Sequence, residues 1–529
     1  MLSASAVIVP FLWLGIPSGH DFEFHLNSWM EVAHQWQHGV VYPHWAATAQ
    51  YGYGEPRFIF YPPASWMLGA ILGTLLPWVA VPAAYVWIAL TLSGSSMFVL
   101  AQRWFSRRDA MFAAAFYTAN PYFILLVYWR SAYAELLAGA LVPLLLMYVL
   151  RASEPGRSVI LPLGLVVAAA WLTNAPAAVM LCYSLALLSI VVAITQRSTQ
   201  VFILSIAATL LGAALAAFFL IPAAYEQKWV NIGQVLAPGL RPQDNFLFTA
   251  IADSDHNRFN LLISLVATVE IAAVAFAALR SRGWRNPTPR LWWAAVVWAG
   301  VAALLMFPFT GFLWRYLPEL RFLQLPWRWL LCLSLALAVL VTAAWRRWWM
   351  RGLLCAGLLG TLIFLWHNLQ PPWWERSEDI AKMMTAQRSA GYEGTDEYTP
   401  AFADVYDTRL DAPLVTAEDG AAVQARVLRW DVESKFLVVE NVRPTRLLLR
   451  LFNYPAWKVT VNRKVVDAET QDNTGEMIIP VPSGTNQVRV TFTRTPDRTA
   501  GEIVSALTAA VLGGFLLRRR RRRGALRTA

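Results

Sequence analysis

The stretch Val201-Phe202-Ile203-Leu204-Ser205-Ile206-Ala207-Ala208-Thr209-Leu210-Leu211-Gly212-Ala213-Ala214-Leu215-Ala216-Ala217-Phe218-Phe219-Leu220-Ile221 passes without a single charge. As a helix rising about 1.5 Å per residue it would cover about 30 Å, the thickness of a bilayer's hydrocarbon core. Comparable runs recur along the chain, at 2–16, 82–102, 110–128, 134–150, 158–173, 176–195, 260–280, 291–307, 323–345, 351–368 and 501–517. Together they predict about twelve transmembrane spans, each about 20 residues long. The first is short and has no basic region before it, so it reads as a shortened span rather than a cleaved leader. Composition agrees. Of 529 residues 57% are hydrophobic and 15% charged, with a mean hydropathy of +0.44, whereas a soluble domain carries about 25% charge. The 26 Trp, 17 Tyr and 27 Phe suit aromatic belts at two membrane interfaces. Soluble enzymes and disulfide-stapled secreted modules are excluded, and Cys182, Cys332 and Cys355 all lie within apolar runs.

Charge sets the orientation. With the N-terminus cytoplasmic, the loops on that side carry Arg103, Arg107 and Arg108; Arg151 and Arg157; Arg197; Arg280, Arg282, Arg285 and Arg290; and Arg346, Arg347 and Arg351. Every such loop is basic, as the positive-inside rule requires. The run 64–77, between Tyr61-Pro62-Pro63 and Pro77, reads as a juxtamembrane helix, because a full crossing there would put Arg103, Arg107 and Arg108 outside. The net charge of +11 owes much to Arg518–Arg523, directly after the last apolar run. That placement reads as a stop-transfer anchor on anionic lipid, not a nucleic-acid site. The predicted organisation is a mainly α, helical transmembrane module over 1–368 with an outer loop at 17–63, an outer connector over 369–420, a small outer all-β, sandwich-like domain over 421–500, and a last span with an Arg-rich cytoplasmic tail over 501–529. The β assignment rests on alternating segments such as Arg446–Leu451, Trp457–Val461 and Gln487–Phe492. This domain either holds glycan or serves as a structural lid. The connector is acidic, which suits either an acceptor site or a solvated linker.

The outer loops carry the chemistry-bearing residues. Gly19-His20-Asp21-Phe22-Glu23-Phe24-His25-Leu26-Asn27-Ser28-Trp29-Met30-Glu31 follows the first span. Asp21 there sits at the membrane–water boundary, where it could act as a general base on a hydroxyl or cap the amphipathic helix that follows. His34 and His38, at i and i+4, share a helix face and with Glu31 could hold a divalent metal. They equally suit the polar face of an interfacial helix. Arg130 and Glu135, in Trp129-Arg130-Ser131-Ala132-Tyr133-Ala134-Glu135, lie at the mouths of two spans, where charges are paired or functional. Arg328, in Gln324-Leu325-Pro326-Trp327-Arg328, could grip a phosphate or snorkel to the interface. Glu226 follows another span's outer end, and Glu270 falls near the middle of its span, as a buried contact or part of an ion path.

The runs His20-Asp21, Phe24-His25-Leu26, Gly54-Glu55-Pro56-Arg57-Phe58 and Tyr61-Pro62-Pro63 resemble the start of a GT-C-type membrane glycosyltransferase. More closely, with Arg130 to Glu135, Gln324 to Arg328 and Gly391-Tyr392-Glu393-Gly394-Thr395-Asp396-Glu397-Tyr398, they resemble the bacterial membrane family with a 6-pyruvoyl-tetrahydropterin synthase-related domain. The segment Phe452-Asn453-Tyr454-Pro455-Ala456-Trp457 resembles the last domain of YfhO-like proteins. The resemblance implies a GT-C-like helical bundle in the bacterial cytoplasmic membrane, with both termini cytoplasmic. It implies transfer of a sugar from a polyprenyl-phosphate-linked donor to an envelope acceptor on the outer face, with membrane lipids and no nucleic acid as partners. Asp21 matches the family's base and Glu135 its second acid, where the commoner residue is Asp. Arg130 and Arg328 would hold the donor phosphate, and Arg57, His25, Gln324 and Glu226 would complete the substrate site. A base near the acceptor hydroxyl would give inversion. The rival class is a transporter or flippase for lipid-linked glycans, or a non-catalytic envelope scaffold. Discontinuous helices in matched halves would mark transport.

Overall fold

The computed structural model describes the chain apart from residues 153, 155–158, 285–288, 369–372, 422 and 529. Two compact units emerge, each assembled from separated stretches. The first comprises Met1–His25, Leu72–Ala216 and Val235–Glu378; the second comprises Leu26–Ile71, Ala217–Gln234 and Asp379–Ala529.

The first unit is helical. Among the described residues of the whole chain, seven helices are long and apolar enough to cross a membrane, and two bent pairs raise that to nine. The predicted spans at 2–16 and 158–173 are helical but shorter, over Leu2–Leu12 and Ile160–Thr173, whereas 351–368 lies wholly within the helix Trp348–Asn368. Twelve full-length spans are therefore not what the helices amount to. Apolar composition foretold helix at each place, but length is set by local stops. Asn174 ends one helix and caps the next, its Oδ1 accepting from Ala177 N at 2.9 Å, with Pro176 in the first turn. The predicted span at 291–307 ends near Leu305 and turns by 91° into Pro308–Tyr316. Helices Ile160–Thr173 and Gln200–Leu215 approach closely at glycines, since a Cβ on Gly212 would lie 2.7 Å from Gly164 O. Such small-residue contacts replace the hydrophobic drive that lipid cannot supply. Helix Leu330–Ala344 is buried along nearly its whole length and forms the unit's centre.

The uncharged run Val201–Ile221 is not one helix. It breaks at Ala216 into Gln200–Leu215 and Ala217–Glu226. Within the second unit, the Phe218 amide donates to Ser505 Oγ at 2.9 Å, so a first-turn N–H orphaned by the break is satisfied. Gly501 admits that contact, because a Cβ there would lie 2.6 Å from Ala217 O. Ser505 and Gly501 belong to the helix Pro496–Thr528, whose apolar length is largely exposed, as a lipid-facing anchor would be. The side chains of Arg519–Arg523, and Arg157 and Arg285, fall outside the described residues.

The second unit also holds the β domain. One sheet has the order Val415–Ala417, Thr445–Phe452, Glu476–Val481, Glu469–Thr470; the other runs Gln424–Trp430, Ser434–Asn441, Gly484–Phe492, Trp457–Val461, Lys464–Val466. All pairings are antiparallel. Leu447, Leu449 and Ile479 of the first sheet share one core with Leu437, Val459 and Val488 of the second, the mark of a sandwich.

Candidate active site

In the first unit the chain after Gly19 lies against the backbone of residues 129–131. A Cβ at Gly19 would sit 2.4 Å from Trp129 O, so only glycine permits the approach. Ser131, in the left-handed region at φ 51°, holds the other side. Its Oγ accepts from Gly19 N at 2.9 Å and donates to Pro17 O at 2.9 Å. Asp21 N then donates to Arg130 O at 2.8 Å. Arg130 itself ends a π-helical turn, Leu126–Arg130, a widening of the helix that often marks functional sites.

These contacts gather four charges from three distant segments. Arg130 Nη2 is 2.9 Å from Asp21 Oδ2, and its Nη1 is 2.9 Å from Glu135 Oε2. Arg328 Nε lies 3.3 Å from the same Glu135 oxygen without hydrogen-bond alignment, while its Nη1 donates to Leu323 O at 2.8 Å. Tyr122 donates a short hydrogen bond to the other Glu135 oxygen. Side-chain exposure separates the members: Asp21 is 35% exposed, whereas Arg130, Glu135 and Arg328 are below 10%. Two arginines thus share one buried carboxylate, and Arg130 alone also meets one that solvent reaches. Trp327 lies beneath the Arg130 guanidinium at 5.3 Å and meets Phe259 edge-on at 6.0 Å. His20 packs against Phe259 and Trp373; burial lowers its pKa and Arg130 adds to that, against the pull of Asp21. The array can therefore accept a proton at Asp21 and present guanidinium nitrogen to an anion.

Of the other predicted residues, His25 packs in this unit against the Tyr133 ring at 5.3 Å. Gln324 donates to Val235 O at 2.7 Å from a positive-φ backbone. Arg57 and Glu226 belong to the second unit, and their charges are answered there. Arg57 is buried, with its Nε 2.6 Å from Glu55 and its Nη1 3.0 Å from Ser28 Oγ. Glu226 takes Arg498 Nε at 2.7 Å, Arg498 Nη2 at 2.8 Å and the Tyr454 hydroxyl at 2.6 Å. The His34 and His38 rings lie 4.4 Å apart. Glu31, however, already accepts from Gln35 Nε2 at 2.9 Å, Ala47 N at 2.9 Å and Thr48 Oγ1. No three His, Cys, Asp or Glu side chains converge as metal ligands among the described residues. Glu270 accepts from Ser334 Oγ at 3.0 Å within its span. Sequence reasoning overlooked Tyr122 and Phe259, and quoted Trp327 only as part of the motif before Arg328, since aromatic residues in apolar runs carry no distinguishing signal.

No curated protein sequence matches the chain. Among solved structures, the apo oligosaccharyltransferase of Archaeoglobus fulgidus is 13% identical at a TM-score of 0.41, over 74% of this chain and 56% of its own. The chain thus spans little more than half the length of that protein. The apo ArnT of Cupriavidus metallidurans is 13% identical at a TM-score of 0.29, over 75% of this chain and 89% of its own. The same ArnT bound to undecaprenyl phosphate scores 0.29 at 13% identity, over 81% of this chain and 95% of its own. These are partial likenesses, and the chemistry of the site rests on this chain's own residues. The model of the 6-pyruvoyl-tetrahydropterin synthase-related domain, described as a membrane protein, matches residues 58–370, and the chain belongs to that family.

Proposed function

We propose that this membrane protein is a glycosyltransferase that moves a sugar from a polyprenyl-phosphate-linked donor to a hydroxyl of an envelope glycan, lipid or protein. The observation that carries the reading is Arg130 divided between a solvent-reachable carboxylate, Asp21, and a buried one, Glu135, beside a second arginine. The donor's phosphate would take Arg328 and draw Arg130 away from Asp21. Donor binding would then free the base at the moment it is needed. Asp21 accepts the acceptor hydroxyl's proton while that oxygen bonds to the anomeric carbon. The bond from that carbon to the phosphate oxygen breaks, and polyprenyl phosphate leaves with the electron pair. The two guanidinium groups stabilise the charge that develops on the leaving phosphate, usually the largest catalytic term. Glu135 and Tyr122 hold the arginines rather than touch the sugar. One displacement inverts the anomeric centre, whereas a covalent route would want a second carboxylate about 5 Å from the first and equally placed to attack. By the positive-inside reading this site faces away from the cytoplasm, in the bacterial cytoplasmic membrane.

Transport would rest on the two helices broken at Ala216 and beyond Leu305, and on Glu270, whose Oε1 is buried without a hydrogen-bond partner among the described residues. Those breaks and one intramembrane carboxylate give it less support than four convergent charges give transfer. The test is mass spectrometry of polyprenyl-linked sugars and envelope glycans in a deletion strain carrying wild type or Asp21→Asn at matched expression. The expected result is a lipid donor that accumulates and an acceptor that lacks one sugar with the variant. Full complementation by Asp21→Asn would move transport or scaffolding to the front, and a product that retains configuration would remove the single-displacement step.

A further inference from the structure

Strand Ser434–Asn441 buries alternate residues, and Lys435 falls in phase with Leu437 and Val439. A lysine on the inward face of a sandwich is costly unless it is paired. Here Nζ donates to the carbonyls of Asp431 and Val432, the latter at 3.3 Å, which leaves one of its three protons without a partner among the described residues. The Trp430 and Trp457 rings lie 5.3 and 5.4 Å from it. Burial pushes its pKa down to about 7, against the pull of Asp431 and Glu31.

Lys435 lines a cavity of about 820 Å³ built entirely from the second unit, within the range of small-molecule sites, roughly 300–1,000 Å³. Its walls offer the aromatic rings of Tyr51, Trp430 and Phe492. Arg450 also faces it, bonded to the carbonyls of Tyr51, Leu410 and Ala412 rather than to a carboxylate. Arg388 stands exposed at the rim with no ion pair among the described residues. The wall acids are mostly committed. Glu31 is filled by its three donors, and Asp431 pairs with Arg429. Glu433 is the remaining wall carboxylate with no cation on it among the described residues. The donors on Glu31 are neutral and leave its charge in place, so Arg388, Arg429, Lys435 and Arg450 outnumber Glu31, Asp431 and Glu433 by one cation in the wall. Tyr51 occupies the left-handed region at φ 52°, next to Gln50 at φ 50°. Two consecutive strained residues of this kind cluster at binding sites.

We infer that this cavity binds a saccharide bearing an anionic group, with the aromatic rings against the sugar faces and Lys435, Arg450 and Arg388 on the carboxylate or phosphate. The inference concerns the second unit alone and does not depend on glycosyl transfer. The test is intrinsic tryptophan fluorescence and calorimetry on the full chain in detergent micelles. The probes are trigalacturonate, glucose 6-phosphate, maltotriose and inorganic phosphate. At least one anionic sugar should bind saturably and about tenfold tighter than both maltotriose and phosphate; which one does so separates a carboxylate ligand from a phosphate ligand. Arg388→Ala, at the exposed rim, should weaken that binding about tenfold with an unchanged melting temperature, and Lys435→Met should weaken it as much. Asp21→Asn should bind as wild type does, so a failure of the transferase reading leaves this result intact. Equal binding of maltotriose or of phosphate, no binding of either anionic sugar, or unaltered binding by both cavity variants would overturn the inference.

Discussion

Glu135 and Glu226 are both buried carboxylates answered by arginine and a tyrosine hydroxyl, yet they are built to different ends. Glu226 is closed: Arg498 meets it with two nitrogens at 2.7 and 2.8 Å, Tyr454 at 2.6 Å and Thr495 at 3.4 Å. Glu135 is open: Arg130 gives it one nitrogen and sends the other to Asp21, and Arg328 sits 3.3 Å away with Nε unaligned. A complete fork fixes the fold and has nothing left for a ligand. A divided one keeps donor capacity in reserve and places a carboxylate within reach of water. Identical residue types therefore serve structure in one unit and carry candidate chemistry in the other.

The sharpest way to break this contrast is to remove the closed carboxylate. Glu226→Ala leaves Arg498 buried and unpaired, which costs about 3–5 kcal/mol. Thermal unfolding should show a large loss, with turnover per folded molecule unchanged. Arg328→Ala should do the opposite. It removes a donor to the leaving phosphate, worth about 2.7–4 kcal/mol in the transition state, and steady-state kinetics should show that loss in kcat with little change in melting. Gly19→Ala sharpens the geometric claim. Its Cβ meets Trp129 O at 2.4 Å, so the Asp21 loop must shift, and a displacement of about 1 Å costs on the order of 10²-fold in rate. The smallest effect is expected at Lys435. Its pKa is lowered in the fold, so the unfolded chain binds more protons between about pH 7 and 10, and stability rises with pH across that window. Asp431 and Glu31 face it and limit the shift, with the Trp430 and Trp457 rings alongside. Lys435→Met should raise the melting temperature by a few degrees at pH 6, and the gain should fade toward pH 10 in thermal melts.

The comparison also separates what local sequence can report from what it cannot. Apolar runs foretold helix at every place named, because burial in lipid is written in composition. Alternation from Arg446 to Leu451 foretold strands, because a half-buried strand has period two. Asp21, Arg130, Glu135 and Arg328 stood out as charges at the mouths of spans, where they are costly without a purpose. Partners distant in sequence were invisible. Glu226 reads as a substrate ligand until Arg498, 272 residues on, fills it. The break at Ala216 has no proline or glycine at the site to announce it, and its support, Ser505 and Gly501, lies more than 280 residues further along the chain. Tyr122 and Trp327 are hidden among many aromatics, and only the fold brings them to the arginines.

The most direct measurement follows conversion of the donor lipid that accumulates in the deletion strain by purified wild type, Asp21→Asn and Glu226→Gln, each with its melting curve. Asp21→Asn should lose about 10²- to 10⁴-fold in turnover at an unchanged melting temperature. Glu226→Gln should melt earlier yet turn over normally per folded molecule. Wild-type turnover by Asp21→Asn, or loss of turnover in folded Glu226→Gln, would contradict the division between an open working cluster and a closed structural one.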